Sequence, residues 1–128
     1  MDTLDLTRET YLKLATFRRS GAEVHTPVWF AADPAHAHRL WVYTNGKSGK
    51  VKRIRNDARV RVAACNVRGN VHGSWLDARA RIVEGEAAQQ LGFDALAAKY
   101  GWQMTALKLL AQLGGRWKDR TILAIELG

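Results

Sequence analysis

The chain has 128 residues and a mass of 14.3 kDa, enough for one domain with a buried core and too few for two. Apolar residues make up 47% and charged residues 25%, and the formal net charge is +8, so a globular domain with an anionic partner is expected: a nucleic acid, an acidic membrane surface or a phosphorylated small molecule. One cysteine, Cys65, excludes an internal disulfide and a cysteine-built zinc site, no apolar run is long enough to span a membrane, and Met1-Asp2-Thr3-Leu4-Asp5 lacks the pattern of a secretory leader, which makes the cytoplasm the expected compartment.

After a short N-terminal turn, Tyr11 to Phe17 reads as a first strand, and Ser20-Gly21-Ala22 turns the chain. Glu23 to Ala32 reads as a second strand, with Val24, Thr26, Val28 and Phe30 on one face and His25, Pro27, Trp29 and Ala31 on the other. A central ladder rejects proline, so Pro27 predicts an edge, a bulge or a ligand beside this strand. A loop follows at Asp33-Pro34-Ala35-His36, then a third strand at Arg39 to Thr44, rich in aromatic and β-branched residues. Asn45-Gly46 turns the chain, Ser48 stands as N-cap, and a short helix runs from about Gly49 to Arg55 with Val51 and Ile54 as its buried stripe. Val60 to Val67 and Ser74 to Val83 alternate as fourth and fifth strands. Glu86 to Leu113 is helical and broken near Gly101; Leu91, Leu96, Ala97 and Tyr100 form one apolar stripe, and Met104, Leu107, Leu110 and Ala111 the next. Gly114-Gly115 stops it, and Thr121 to Leu127 is a final strand. Six strands with short turns and a late helical pair predict a mainly β fold with α, a small closed or nearly closed β-barrel with helices packed outside.

The charge is concentrated. Lys47, Lys50, Lys52, Arg53, Arg55, Arg59 and Arg61 stand against Asp57 alone and hold +6 of the net +8. A strand ends in a hydroxyl residue, Thr44, a flexible turn follows, and a helix begins with Lys50 in its first turn. Free N–H groups and the dipole of a helix start attract anions. Lys50 and Arg53, three apart, converge on one face, and Thr44 and Ser48 offer hydroxyls, so the segment makes a workable phosphate cradle. Gly46-Lys47-Ser48 imitates the end of a P-loop, but Trp41 stands where that motif needs a glycine, which excludes nucleotide triphosphate hydrolysis by that route. Catalytic residues are not expected: His36-x-His38 lacks a third ligand or a base, Cys65 reads as a small buried residue, and no Gly-x-Ser-x-Gly occurs. Of the five tryptophans most read as core or interface, while Trp29 and Trp75 stand where they could line a cleft.

Thr26-Pro27-Val28-Trp29-Phe30, then Leu40-Trp41-Val42-Tyr43-Thr44, then Ser48-Gly49-Lys50-Val51-Lys52-Arg53-Ile54-Arg55-Asn56-Asp57-Ala58-Arg59-Val60 resemble, in order and spacing, the pyridoxamine 5′-phosphate oxidase-like flavin-binding split barrels, and more closely the subgroup that uses the deazaflavin coenzyme F-420. Ala80-Arg81-Ile82-Val83, Lys99-Tyr100-Gly101-Trp102 and Ile125-Glu126-Leu127 extend the likeness over almost the whole chain. The resemblance implies a six-stranded Greek-key split barrel with flanking helices, one domain over residues 1–128, that forms a homodimer with cofactor sites at its interface. It implies that Lys50 binds the cofactor phosphate with Thr44, Arg53 and Ser48 beside it, next to Tyr43. It implies that Thr26, Pro27, Val28 and Trp29 run along the ring, and that the stretch from His72 to Ala78, with Ser74 and Trp75, borders it. Two departures stand out. Gly49 replaces the arginine that tends to precede the phosphate lysine in the true oxidases, and their C-terminal substrate segment has no counterpart, so oxidation of pyridoxamine phosphate is not expected. Coenzyme F-420 is the expected cofactor and FMN the alternative, since both carry a phosphate and a flat tricyclic ring; F-420 adds an anionic tail that the surplus cations suit. The expected function is hydride transfer between the cofactor and a conjugated small-molecule substrate, with a non-enzymatic flavin carrier as the rival. Neither a membrane nor a nucleic-acid partner is expected, because the cations from Lys47 to Arg61 have no aromatic residues among them.

Overall fold

Leu12, Leu14 and Thr16 alternate with Tyr11, Lys13 and Ala15, which dictates a strand with one buried face. In the computed structural model, which describes residues 8–127, this is β1 (Tyr11–Phe17), paired antiparallel with β2 (Glu23–Val28) and β5 (Arg59–Cys65). The chain continues through β3 (Phe30–Ala32), β4 (Arg39–Asn45) and a helix, α1 (Gly49–Asn56), into β5. It then runs through β6 (Leu76–Ile82), α2 (Glu86–Tyr100), α3 (Trp102–Leu113) and a 3₁₀ turn at Trp117–Asp119 to β7 (Arg120–Leu127). All pairings are antiparallel, in the order β2-β1-β5-β6-β7-β4-β3. The two end strands of this curled sheet are consecutive in the chain and do not pair with each other, which is the split in the barrel.

Among the described residues seven strands thus replace the expected six, because the segment from Glu23 to Ala32 breaks at Trp29. Pro27 has no N–H to give a ladder, and the chain changes partner there, from β1 to β4. The proline signal for an edge strand holds: β2 ends the sheet order. The fourth strand stops at Cys65 rather than Val67, where Asn66 turns the chain by accepting the N–H groups of Arg68 and Asn70. The fifth begins at Leu76, which leaves Ser74 and Trp75 in the preceding loop.

Alternation divides the apolar residues into two cores. Leu12, Leu14, Val28, Leu40, Val42, Val62, Leu123 and Ile125 fill the barrel with Ile54 of α1. Trp41, Ile122 and Ala124 on the opposite face meet Leu96, Tyr100 and Met104 of α2 and α3. Gly92 lets α2 approach closely, since a Cβ there would lie 2.7 Å from Ile122 Cγ2 and 3.2 Å from the Trp41 ring. The helical stripes are narrower than the sequence predicts. Leu91 is 61% and Leu110 63% exposed, and Ala97 is exposed as well, because the helices meet the sheet through Gly92, Leu96, Tyr100, Met104 and Ala111. Tyr100 fastens α2 over the break: its hydroxyl accepts the Phe30 N–H at 2.9 Å and reaches the carbonyls of Phe30 and Thr10.

Candidate functional site

The turn from β4 into α1 is fixed by hydrogen bonds that its own residues supply. Asn45 Oδ1 accepts the Lys47 N–H at 2.8 Å, and the Asn45 carbonyl accepts the Ser48 N–H at 3.0 Å. The Gly46 N–H donates to the Asp119 carbonyl at 2.7 Å, and a Cβ on Gly46 would stand 2.7 Å from Thr121 Oγ1, so glycine lets this turn lie against β7. Ser48 holds the N-cap position in extended conformation, but its hydroxyl caps no N–H; it lies 3.5 Å from Thr44 Oγ1 instead. The first turn of α1 carries no acidic residue. Two hydroxyls and the free N–H groups of a helix start therefore stand together with nothing negative in that turn.

Cations complete the corner. Arg53 Nε donates to Thr16 Oγ1 at 2.6 Å, which fixes the guanidinium from β1. The same guanidinium folds back over Gly49, where an added Cβ would sit 2.7 Å from Nη1. The room that a side chain at position 49 would need is thus taken by Arg53. Lys50 is half-buried; burial first, and then the Arg53 charge, push its ammonium below the usual lysine range. Arg53 is lowered by burial and then by Arg18 at the end of β1. Among the described residues neither Lys50 nor Arg53 has a carboxylate within ion-pair distance. The rest of the basic segment differs. Arg59 meets Asp57 at 2.8 Å and Arg61 meets Glu23 at 2.7 Å, both on the outer face of the sheet. The run of like charge is therefore not uniform: Arg59, Arg61 and Lys47 meet carboxylates of the protein, while Lys50 and Arg53 do not.

The remaining predicted residues divide by face. Thr26 and Val28 lie opposite Leu14 and Leu12 and share the barrel-side face; Val28 is buried. Pro27 lies opposite Lys13 on the outer face. Trp29 packs against the helix side, stacked on Tyr100 at 4.5 Å and 10°. Tyr43 points to that side too, against Phe93 and Trp117, so its ring lies across β4 from the Thr44 hydroxyl; burial raises its pKa. Ser74 is exposed, and Trp75 is half-buried on the outer face, 4.7 Å from Arg61 and 5.1 Å from the His25 ring. The fold brings together Thr44, Ser48, Lys50 and Arg53, and leaves Tyr43, Trp29 and Trp75 pointing elsewhere. Sequence reasoning missed Thr16 and Arg18. Thr16 carried a signal, a polar residue in register with Leu12 and Leu14 on a core face. Two cavities, of about 440 and 590 Å³, lie away from this corner; Lys50 and Arg53 line neither. Among the described residues no group of three His, Cys, Asp or Glu is placed to hold a metal ion, and no helix is long and apolar enough to cross a membrane.

The model of the pyridoxamine 5′-phosphate oxidase family matches residues 4–127. No curated protein matches the sequence. Among solved structures, a conserved hypothetical protein of Mycobacterium tuberculosis superposes with a TM-score of 0.72 at 20% identity, over 98% of this chain and 77% of that one. The heme storage protein of Vibrio cholerae gives 0.70 at 14% identity, over 100% and 92%. An FAD-binding protein of Mesorhizobium loti gives 0.68 at 17% identity, over 98% and 86%.

Proposed function

The chain belongs to the pyridoxamine 5′-phosphate oxidase family, and on that premise we propose that it is a cofactor-dependent oxidoreductase that moves hydride between coenzyme F-420 and a conjugated small molecule, with FMN at the same corner as the alternative cofactor. One observation carries the reading. Lys50 and Arg53, the Thr44 and Ser48 hydroxyls and the start of α1 converge, while the described carboxylates stay out of ion-pair reach of both cations. Such a corner fits a phosphate by charge, by donor set and by a Ser48 hydroxyl that caps no N–H of its own helix.

When bound, the tricyclic group supplies the hydride chemistry. The chain supplies position and charge. Lys50 and Arg53 neutralise the phosphate, Thr44 and Ser48 orient its oxygens, and Thr16 keeps the guanidinium aimed. Thr26, Pro27 and Val28 lie on β2, whose outer backbone edge carries no partner strand among the described residues and is the edge along which the ring would lie. Trp29, held by Tyr100, sets where that edge ends. Arg18 beside Arg53 adds positive charge beyond what one phosphate needs, which favours F-420 with its anionic tail. A homodimer with cofactor at its interface is part of the same proposal, to be checked by the mass in solution.

The test is spectroscopic. Purified protein is titrated with F-420 and with FMN, followed by competition with inorganic phosphate. Binding of either cofactor, reversed by phosphate, is the expected result; binding of neither overturns the reading. Mixing the reduced cofactor with a panel of conjugated acceptors then separates an enzyme, which turns over, from a carrier, which does not.

A further inference from the structure

The cavity of about 440 Å³ opens between α2 and α3, on the helix side of the sheet. Its volume lies in the range that encloses a small organic molecule. Phe93 and Trp117 line it, with ring centroids 5.2 Å apart and tilted by 40°. Tyr43 backs both rings from β4. Two cations, Lys108 and Arg120, and two carboxylates, Glu86 and Asp94, share the lining.

Glu86, Asp94 and Lys108 are exposed and Arg120 is half-buried, so these charges reach solvent around the cavity. Among the described residues none of these four enters an ion pair. They are segregated by element instead. Glu86 and Asp94 belong to α2, and Asp94 accepts the Gln90 amide at 2.8 Å. Lys108 comes from α3 and Arg120 from the start of β7. Both cations are drawn to the Trp117 ring, Lys108 Nζ at 5.4 Å and Arg120 Cζ at 5.0 Å from its centroid. Arg120 also donates to the Trp117 carbonyl at 3.0 Å, which ties it to the aromatic wall.

We propose that this cavity is a second small-molecule site, separate from the phosphate corner, for a zwitterion of aromatic amino-acid size. Its ring packs on Phe93 and Trp117, its carboxylate faces Lys108 and Arg120, and its ammonium faces the acidic side of α2, towards Asp94 or, about two turns away, Glu86. The ligand thus completes two sets of charge that the protein holds apart. The site stands on its own lining and does not depend on the cofactor assignment.

The probes are L-phenylalanine, 3-phenylpropanoate, 2-phenylethylamine and L-leucine, added to the whole chain. Binding is read by calorimetry and by the Trp117 indole N–H resonance, assigned through Trp117→Phe. L-Phenylalanine is expected to shift that resonance saturably. Each truncated probe should bind at least about tenfold more weakly, the loss of one charge-assisted contact or of the ring. Glu86→Gln with Asp94→Asn, and separately Lys108→Met, should cost a similar factor while the circular dichroism spectrum and melting temperature stay those of the parent. No saturable shift at millimolar L-phenylalanine overturns the proposal. So does equal affinity for 2-phenylethylamine or 3-phenylpropanoate, which would make the cavity a plain apolar groove.

Discussion

Replacing Lys50 by methionine acts on binding and on stability with opposite signs. The substitution keeps most of the aliphatic stem that packs at the start of α1 and removes the charge. If the ammonium holds the cofactor phosphate, the loss is that of a charge-assisted hydrogen bond, about 1.5–3 kcal/mol, or roughly a 10- to 150-fold rise in Kd. In the free protein the same ammonium is disfavoured, by burial and then by the Arg53 charge. Its folded pKa lies below its unfolded one, so at neutral pH the charged form weighs against folding. Lys50→Met should therefore raise the melting temperature of the cofactor-free protein while it weakens binding. Titration with F-420 and FMN followed by absorbance, and thermal unfolding without cofactor, read the two effects separately. A Kd within about twofold of the parent for a cofactor that the parent binds would remove Lys50 from the phosphate corner. A lower melting temperature would refute the argument that its charge is held against its own electrostatic preference.

Thr16→Val removes the hydroxyl that accepts Arg53 Nε at 2.6 Å; urea unfolding should show a loss of about 1–3 kcal/mol, and cofactor Kd should rise as the guanidinium loses its aim. Gly92→Ala places a Cβ 2.7 Å from Ile122 Cγ2, so an overpacking cost of about 1–3 kcal/mol in the same assay is expected, with cofactor affinity unchanged because α2 lies across the sheet from the corner. Burial lowers Lys99 to about 8 from the usual 10.5, with its Nζ 2.9 Å from the Phe30 carbonyl. Above pH 8 the folded chain has released a proton that the unfolded chain keeps, so this group makes stability rise from about pH 8 towards 10.5. Lys99→Met should abolish that component, compared with the parent between pH 8 and 10, below the range where Tyr100, raised to about 12 by burial, contributes the opposite slope.

The strands and helices were legible because their signals are local. A period of two in Leu12-Leu14-Thr16 or Ala78-Ala80-Ile82 needs no knowledge of partners, and Gly101 breaks the helical stretch with its own backbone, at φ 59°. The proposed phosphate corner was legible in part for the same reason: Thr44, Ser48, Lys50 and Arg53 lie within one strand end, turn and helix start. Other features required the folded chain. Arg53 is fixed by Thr16, 37 residues away, and no spacing rule connects them. The cations from Lys47 to Arg61 form one run in the sequence, yet the fold pairs Arg61 with Glu23 and leaves Lys50 and Arg53, among the described residues, without a carboxylate in ion-pair reach. The break at Trp29 arises because the sheet curls and the chain changes partner strand there, and the cavity at Trp117 is assembled from α2, α3 and β7 together. Periodicity and turn chemistry are properties of neighbouring residues, so the sequence by itself determined the elements and the clustering of Thr44, Ser48, Lys50 and Arg53 around one turn. Which charge finds an opposite charge depends on register and curvature, which exist only once distant strands have paired.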